Sequence, residues 1–228
     1  MLTLADALEA LTHSRPAMKD IFIAEAAIDS RQVIPGGLFV ALQGERVDGH
    51  DFVGQVFKRG TLAALIEHEV EGNFTTLDLR NGPPTADFST LKPPVCLLVP
   101  NTLTALQQMA AYWRRKLNVR VIGVTGSIGK STTKEAIAQV LTQRYKTLKS
   151  VANLNNEIGL PLNVLRLTPG HQAAVLERGF YVPGEIAQLC EIAQPHVGVI
   201  TNIGTVHAER AGRSEERRVG KACRSRWS

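Results

Sequence analysis

The sequence predicts an α/β protein built on a parallel β-sheet that is covered by helices. Strand-like and helix-like segments alternate regularly after residue 100, and the strands are continuous apolar runs. A glycine-rich loop within GVTGSIGKSTTKEA (123–136) joins one of these strands to a helix. Apolar strands that alternate with helices are typical of parallel sheets with both faces covered. We therefore expect ligands to bind beyond the carboxyl ends of the strands.

The first hundred residues are predicted to form a smaller domain that mixes helices and strands. LTLADALEALT (2–12) is a candidate helix with its leucines on one face and Thr3 as its cap. A second helix is predicted at 50–60, and strands are predicted at 36–42, 61–67 and 95–100. The sequence thus predicts a domain boundary near Pro100, between domains 1–100 and 101–212.

The region after residue 100 carries the regular alternation. Helices are predicted at 101–117, 131–145 and 184–193, and strands at 119–125, 173–177 and 197–203. In the helix at 131–145 we expect Ile137, Val140 and Leu141 to face the sheet. Residues 213–228 have no apolar period and are expected to form a disordered basic tail.

Composition limits the classes of function. The chain has 228 residues, of which 44% are hydrophobic, and no apolar run approaches the ~18 residues of a membrane span. The N-terminus also lacks a signal-peptide pattern, so we expect a cytoplasmic protein without a membrane partner. The net charge is +5, but residues 213–228 hold six basic and two acidic residues, so the charge does not indicate a nucleic-acid partner. Cys96, Cys190 and Cys223 are widely spaced, which favours free thiols.

The glycine loop has the sequence context of a phosphate-binding loop. It follows a predicted strand and opens a predicted helix, where unpaired backbone N–H groups and the helix dipole favour an anion. Its glycines let the backbone approach phosphate oxygens, Lys130 can reach the terminal phosphates, and Ser131 or Thr132 can bind Mg²⁺. The strict G-x-x-x-x-G-K-[ST] motif would need glycine where Val124 stands. The nucleotide-binding residues are predicted to be Thr125, Gly126, Ser127, Ile128, Gly129, Lys130, Ser131 and Thr132.

Two further groups are expected at the same edge of the sheet. Glu177 closes the strand AAVLE (173–177), and His207 follows the strand at 197–203. A carboxylate and an imidazole beside a triphosphate can hold magnesium, so Lys130, Glu177 and His207 are the catalytic candidates and Ser131, Glu177 and His207 the metal ligands. The alternative for Glu177 is a plain salt bridge, and for His207 a loop histidine that bonds a carbonyl.

The segment NLNNEIGLP (153–161) concentrates amides just before a glycine and a proline. Amides both donate and accept hydrogen bonds and can therefore bind a polar substrate. An ordinary asparagine-rich turn has the same composition, so the residues alone leave both interpretations open.

These motifs together resemble the Mur ligases, the ATP-dependent amide-forming enzymes of bacterial peptidoglycan synthesis. GVTGSIGKSTTKE is similar to the family's ATP-binding loop, and IDSRQVIPGGLFVALQGERVDGHDFV (28–53) is similar to a UDP-sugar-binding domain found in two of its members. NLNNEIGLPLNVL, VLERGFYVPGEI and GVITNIGTVHAERAG resemble the member that adds D-alanyl-D-alanine. The resemblance covers residues 1 to about 212, and NLNNEIG is its most specific block.

The resemblance implies a function for each region. It implies that 1–100 binds UDP-N-acetylmuramoyl-tripeptide, with Ser30 and Arg31 in the UDP-substrate region, and that 101–212 binds ATP and Mg²⁺. Asn155 and Asn156 would lie near the peptide or the nucleotide. The family's reaction phosphorylates the tripeptide carboxylate with ATP, and the amine of D-alanyl-D-alanine then displaces phosphate. We also expect a monomer.

The sequence departs from the family in three ways. The family has a third domain, whereas this chain stops partway through the second, so we expect a truncated ATP-binding domain, an unpaired sheet edge and little ligase activity. The tail after Gly212 does not match the family, and Lys221, which stands near the position of a family lysine, is interpreted as an accidental match. Arg178 replaces a residue that is usually apolar.

Two other functions remain open. The first is a sibling ligase that adds the third peptide residue, which shares the first domain but not the NLNNEIG segment. The second is a non-catalytic nucleotide-binding module whose basic tail engages an acidic partner.

Overall fold

The computed structural model describes residues 1–84, 88, 91–151, 154–179 and 185–202. Packing divides the chain into two compact units, Met1–Trp113 and Arg114–Ser228. The assignment of 1–100, 101–212 and 213–228 to a UDP-substrate domain, an ATP-binding domain and a tail stays a prediction. The tail lies outside the described residues.

The first unit contains a five-stranded parallel sheet. Its strands are β1 (Ala26–Ala27), β2 (Leu38–Val40), β3 (Ala63–Ile66), β4 (Thr75–Asp78) and β5 (Val95–Leu98), in the order β1-β2-β3-β5-β4. Its helices are α1 (Leu4–Thr12), α2 (Val53–Lys58) and most of α3 (Thr102–Lys116), and a 3₁₀ turn at Gly49–Phe52 leads into α2. Every residue of β2, β3 and β5 is buried, as expected for central strands of a covered parallel sheet.

The first helix begins at the predicted cap. The Thr3 hydroxyl accepts a hydrogen bond from the Asp6 N–H, and the Asp6 carboxylate accepts one from the Thr3 N–H, which together form a capping box. The reciprocal bonds satisfy two backbone groups that the helix itself leaves unpaired, so the N-terminus of α1 is fixed by local sequence.

The second unit contains a four-stranded parallel sheet. Its strands are β6 (Arg120–Thr125), β7 (Thr147–Lys149), β8 (Ala173–Glu177) and β9 (Val197–Ile200), in the order β7-β8-β6-β9. Its helices are α4 (Lys130–Thr142), α5 (Gly159–Leu165) and α6 (Glu185–Ala193). Parallel sheets with strand–helix alternation confirm the predicted α/β fold class.

One predicted core residue of α4 is wrong. Val140 is 72% exposed, whereas Ala138 is buried and Ile137 and Leu141 pack against Val124 and Val175 of the sheet. Successive helical residues are about 100° apart, so Ile137, Leu141 and Ala138 share an arc of about 100°. Val140 lies about 60° beyond the edge of that arc and therefore faces solvent.

The sequence did not predict β1, β4, β7 or α5. The three strands lie at sheet edges, and the four residues of β4 are exposed except for Leu77. Residues 159–164 of α5 are all buried, so this helix has no polar face and no amphipathic period. The edge strands lack a clear alternation of apolar and polar residues, and α5 lacks an amphipathic helical period. Sequence prediction depends on these two patterns.

The described cysteines, Cys96 and Cys190, form no disulfide in the described part of the chain, as predicted. Cys96 is buried in β5, and this burial raises the pKa of its thiol to about 11. Cys190 lies half-buried in α6, and Cys223 lies outside the described residues. Among the helices that the structure describes, none is long and apolar enough to cross a membrane.

Candidate functional site

The glycine loop lies where the sequence predicted it, between the end of β6 at Thr125 and the start of α4 at Lys130. Gly126 has φ +136° and Gly129 has φ +85°, and side-chain-bearing residues rarely adopt either conformation. Gly129 is the N-cap of α4 and provides no side-chain cap, so the first N–H groups of the helix are left for an anion.

Gly126 is required by close approach as well as by its backbone angle. A Cβ at this position would overlap the Thr201 hydroxyl and lie 3.0 Å from the Asn202 carbonyl oxygen. The Thr201 N–H donates to the Thr125 carbonyl at 2.9 Å, so the end of β9 lies directly against the loop. No residue other than glycine fits between them.

The loop backbone is held by Asn202. The Ile128 N–H donates to Asn202 Oδ1 at 2.9 Å, and the Ser127 N–H donates to the Asn202 carbonyl at 3.2 Å. The Thr201 hydroxyl donates to the Ile128 carbonyl at 2.6 Å. Sequence analysis missed Thr201 and Asn202, although both follow a strand at the carboxyl edge of the sheet, where ligand-binding groups are expected.

Two polar groups at the loop could hydrogen-bond to a ligand. One would exchange a bond within the protein for it, and the other has a hydroxyl that is still unpaired. Lys130 Nζ donates to the Gly126 carbonyl at 2.7 Å, so its ammonium lies over the loop. The Thr125 hydroxyl is buried and has no hydrogen-bond partner among the described residues. An unpaired buried hydroxyl is unusual in a folded protein and fits a site that binds a polar ligand.

Glu177 is the centre of the polar cluster beside the loop. It closes β8, pairs with Val124 of β6 in register, and is 2% exposed. Ser131 Oγ donates to Oε2 at 2.9 Å, and Asn155 Nδ2 donates to Oε1 at 3.0 Å. Three elements that are distant in sequence therefore converge on one buried carboxylate.

A lysine that sequence analysis missed completes this cluster. Lys134 is 3% exposed, and its Nζ lies 3.5 Å from Glu177 Oε2. Lys134 follows Lys130 by four residues and Ser131 by three, so helical spacing places all three on one face of α4. That spacing was available in the sequence as evidence for Lys134.

The backbone around Glu177 is also fixed. The Glu177 N–H donates to Ser150 Oγ at 3.0 Å, and Ser150 itself is 2% exposed. The Arg178 N–H donates to the Val124 carbonyl at 2.9 Å, and Nη1 of its buried side chain donates to Cys190 Sγ at 2.8 Å. A Cβ at Gly123 would lie 2.8 Å from Arg178 Nη2, so this glycine leaves the room that the large side chain occupies.

The other predicted residues of this unit have different outcomes. Asn155 joins the Glu177 cluster, whereas Asn156 Oδ1 accepts the Gly159 N–H at the start of α5. The Thr132 side chain is exposed on the first turn of α4. His207 and Lys221 lie outside the described residues.

The predicted UDP-substrate residues lie on a loop of the first unit, just after β1. Arg31 makes two hydrogen bonds to Asp29, from Nε at 2.9 Å and from Nη2 at 2.8 Å. This pairing holds the pKa of Asp29 well below its usual range. Arg59 Nη1 donates to the Ser30 carbonyl at 2.7 Å, and the Arg31 side chain is 84% exposed. The loop is therefore ordered by its own contacts and presents a guanidinium to solvent.

A histidine pair elsewhere in the first unit has a structural role. Buried His50 bonds Asp48 through Nδ1 and accepts the Glu67 N–H at Nε2, and it stacks on His68 with ring centroids 4.0 Å apart. Both ring nitrogens of His50 are thus engaged within the protein. The three side chains of Asp48, His50 and His68 lie close together but do not offer three free donors to a metal ion.

The residues around Glu177 fit a magnesium ion. A serine hydroxyl and a carboxylate lie 2.9 Å apart, and oxygen donors of this type are the ligands that Mg²⁺ prefers.

Comparison with known proteins identifies the family. The Mur ligase middle domain matches residues 124–222, and the Mur ligase family catalytic domain matches residues 23–78. The UDP-N-acetylmuramoyl-tripeptide–D-alanyl-D-alanine ligase of Synechocystis is 43% identical over 189 residues, which are 83% of this chain and 38% of the relative. The ligase of the same name from Bacillus subtilis is 41% identical over 204 residues, or 90% of this chain and 41% of the relative.

Solved structures agree with this result. The UDP-N-acetylmuramoylalanyl-D-glutamyl-2,6-diaminopimelate–D-alanyl-D-alanyl ligase of Acinetobacter baumannii superposes with a TM-score of 0.74 at 35% identity, covering 96% of this chain and 45% of that one. The MurF ligase of Thermotoga maritima in complex with ADP gives a TM-score of 0.68 at 32% identity, covering 90% and 43%.

The second unit is of the parallel α/β class that carries a glycine-rich loop between a central strand and a helix. The chain belongs to the Mur ligase family. It spans about two fifths of the length of the curated relatives that it matches, at 38% and 41% for the two described above.

Proposed function

We propose that this chain provides the UDP-substrate-binding and nucleotide-binding parts of a ligase that uses ATP to join D-alanyl-D-alanine to UDP-N-acetylmuramoyl-tripeptide. One observation carries the proposal: a glycine loop with positive φ at Gly126 and Gly129 opens a helix beside a buried carboxylate, and that carboxylate contacts the first turn of the same helix. The relatives that are named for this reaction match both units of the chain, which supports the same function.

The loop is proposed to bind the nucleotide phosphates. Residues 125–132 supply the glycines, the unpaired Thr125 hydroxyl, the N–H groups of the first turn of α4 and the Lys130 ammonium. The dipole of α4 adds positive potential at the same point. Lys130 at present bonds a loop carbonyl, and we expect its ammonium to move to phosphate oxygens when nucleotide binds.

Ser131 and Glu177 are proposed to hold Mg²⁺, together with His207 from outside the described residues. When bound, the ion would offset the charge of the phosphates. Asn155 fixes the orientation of the carboxylate through Oε1, which leaves Oε2 toward Ser131. Lys130, Glu177 and His207 remain the catalytic candidates.

The chemistry follows from phosphoryl and acyl transfer. A carboxylate oxygen of the tripeptide forms a bond to the γ-phosphorus of ATP as the bond to ADP breaks, and the amine then forms an amide as phosphate leaves. The described residues serve the first of these steps, because their N–H groups, ammonium and oxygen ligands surround the place where charge spreads over the phosphoryl group.

Ser30 and Arg31 are proposed to contact the UDP part of the substrate, and Asn155 and Asn156 the peptide or the nucleotide. An arginine suits a diphosphate because its planar guanidinium can donate two parallel hydrogen bonds. The exposed Arg31 guanidinium already makes such a bidentate bond to Asp29.

Nucleotide binding tests the proposal directly. Calorimetric titration of the 228-residue chain with ADP and Mg²⁺ should show saturable binding, and Lys130→Ala should weaken it by at least about tenfold. Lys58→Ala, which removes a lysine of α2 in the first unit, is the control and should change nothing. Equal affinity of the wild-type chain and Lys130→Ala would contradict the proposal.

Substrate binding separates the alternatives. The chain should bind UDP-N-acetylmuramoyl-tripeptide more tightly than the corresponding dipeptide, which is the substrate of the ligase that adds the third residue. Tighter binding of the dipeptide would favour that sibling. Binding of ADP without either UDP compound would favour a nucleotide-binding module.

We propose that the protein is a cytoplasmic monomer without a nucleic-acid or membrane partner. Sedimentation of the purified chain at several concentrations should give one species of constant mass. A mass that rises with concentration would contradict the monomer.

A further inference from the structure

Lys134 is a buried charged residue to which the proposed function assigns no role. Its side chain is 3% exposed, whereas lysines almost always keep their ammonium in water. Burial of an ammonium is strongly unfavourable unless a partner charge compensates it. The buried partner is Glu177, whose Oε2 lies 3.5 Å from Nζ.

The other carboxylate near Lys134 is already paired. Glu135 Oε1 lies 3.7 Å from Lys134 Nζ, but the Glu135 side chain is 42% exposed and bonds Lys149. The pair of Lys149 and Glu135 is therefore solvated, while the pair of Lys134 and Glu177 is enclosed. Lys130 bonds backbone carbonyls, so Lys134 is the ammonium that the described structure places against the buried carboxylate.

This arrangement pairs the described carboxylate of the metal site with an ammonium. Lys134 Nζ lies 3.5 Å from Glu177 Oε2, so its positive charge offsets the negative charge that a cation would meet there. A divalent cation that approaches Glu177 alone gains the attraction of the carboxylate but meets the repulsion of the ammonium. The phosphates of a nucleotide at residues 125–132 would supply the missing negative charge.

We infer that Lys134 makes metal binding conditional on nucleotide: it is a positioning residue that holds Glu177 in place and prevents the site from binding a divalent cation on its own. The inference rests on the proposed nucleotide and magnesium function of this site. Lys134 lies outside the predicted site, yet it would set the order in which the site is filled. The metal would enter together with the nucleotide.

Mn²⁺ binding to the 228-residue chain, followed by the electron paramagnetic resonance signal of the free ion, tests this inference. Wild-type protein should bind Mn²⁺ weakly alone and at least about tenfold more tightly with saturating ADP. Lys134→Met should bind Mn²⁺ without ADP at least about tenfold more tightly than the wild type, because the carboxylate has lost its internal cation.

Two matched variants separate charge from structure. Lys134→Arg keeps the positive charge and should bind free Mn²⁺ as weakly as the wild type. Lys146→Met removes an exposed ammonium just before β7 and should leave free Mn²⁺ binding unchanged, because solvent screens that charge.

Three results would overturn the inference: equal affinity of Lys134→Met and wild type for free Mn²⁺, an effect of Lys134→Arg as large as that of Lys134→Met, or tight binding of free Mn²⁺ by the wild type. The last is measured on the unaltered chain, so the inference stays testable even if Lys134→Met does not fold. Failure to bind ADP would instead contradict the proposed function, and the nucleotide-free comparison of Lys134→Met with wild type would still decide the role of Lys134.

Discussion

The two candidate sites use charge in opposite ways. In the first unit, Arg31 and Asp29 are separated by one residue and their side chains are 84% and 26% exposed. In the second unit, Lys134 and Glu177 come from a helix and a strand far apart in sequence, and both side chains are 3% exposed. One is an arginine–carboxylate pair and the other a lysine–carboxylate pair. Their surroundings give the two ion pairs different interaction free energies.

The difference in exposure between the two ion pairs shows which of them depends on the surrounding fold. An exposed pair in high dielectric gains little and is free to exchange its partner for a ligand. An enclosed pair depends on both members, because loss of one leaves an uncompensated charge in a medium of low dielectric. The loop that carries Arg31 thus suits direct contact with a soluble substrate. The cluster around Glu177 suits a fixed geometry around a metal and a phosphate.

The largest effect is expected from Glu177→Ala. Removal of the carboxylate leaves the Lys134 ammonium buried without its counter-charge and takes the acceptor from Ser131 and Asn155, so the free energy of unfolding should fall by about 3–5 kcal/mol. Urea unfolding followed by circular dichroism measures the change. A loss below about 1 kcal/mol would show that this cluster behaves like an exposed pair.

The next effect concerns the loop. Gly126→Ala should lower ADP affinity by at least about tenfold, because the new Cβ overlaps the Thr201 hydroxyl and displaces the loop. Gly82→Ala is the matched control: Gly82 also has a positive φ, +106°, but a Cβ there would meet nothing within 4 Å. The control should leave ADP affinity intact, and loss of affinity in both variants would mean that the effect is not local.

A pH-dependent contribution is expected from the half-buried Asp48 in the first unit. The His50 backbone N–H, followed by its ring, lowers the pKa of Asp48 to about 2 from a usual value of 3.8. Since the folded pKa is the lower one, this stabilisation is present above pH 3.8 and is lost as the pH falls toward 2. The Glu69 carbonyl, followed by Asp48, raises the pKa of His68 above 6.5, so its contribution is present below that pH and is lost as the pH rises through the raised value.

Thermal unfolding across the acidic and neutral range tests this window. In Asp48→Asn, stability should fall less than in the wild-type chain both at acidic pH and as the pH rises through the pKa of His68. The reason is that Asp48 contacts both histidines. A variant whose stability changes with pH as strongly as the wild type would contradict the assignment.

The smallest change in stability is expected from Arg31→Ala. The guanidinium is exposed, and its pair with Asp29 is screened by solvent, so the unfolding transition should not move measurably. Affinity for UDP-N-acetylmuramoyl-tripeptide should nevertheless fall about threefold to tenfold if the guanidinium contacts the diphosphate. Arg80→Ala, at a similar exposed pair with Asp78, is the matched control and should affect neither quantity.

The sequence by itself determined the α/β fold class, the central strands and the loop between β6 and α4. Continuous apolar strands such as 173–177, the glycines at positions that need positive φ, and the Thr3 cap are local features, because each depends on neighbours in the chain. Glu177 could be placed at the edge of the sheet because parallel strands end on the same side.

Only the tertiary structure decided the edge strands, the buried α5 and the partners of Glu177. The strand β7 forms because β8 offers hydrogen bonds, and no hydrophobic period marks it. The helical spacing of Lys134 from Lys130 is visible in the sequence, but the burial of Lys134 against Glu177 is not. Thr201 and Asn202 look like an ordinary strand end. Burial and pairing arise when segments distant in the chain meet, so the identity of a residue does not reveal whether its charge is solvated or enclosed.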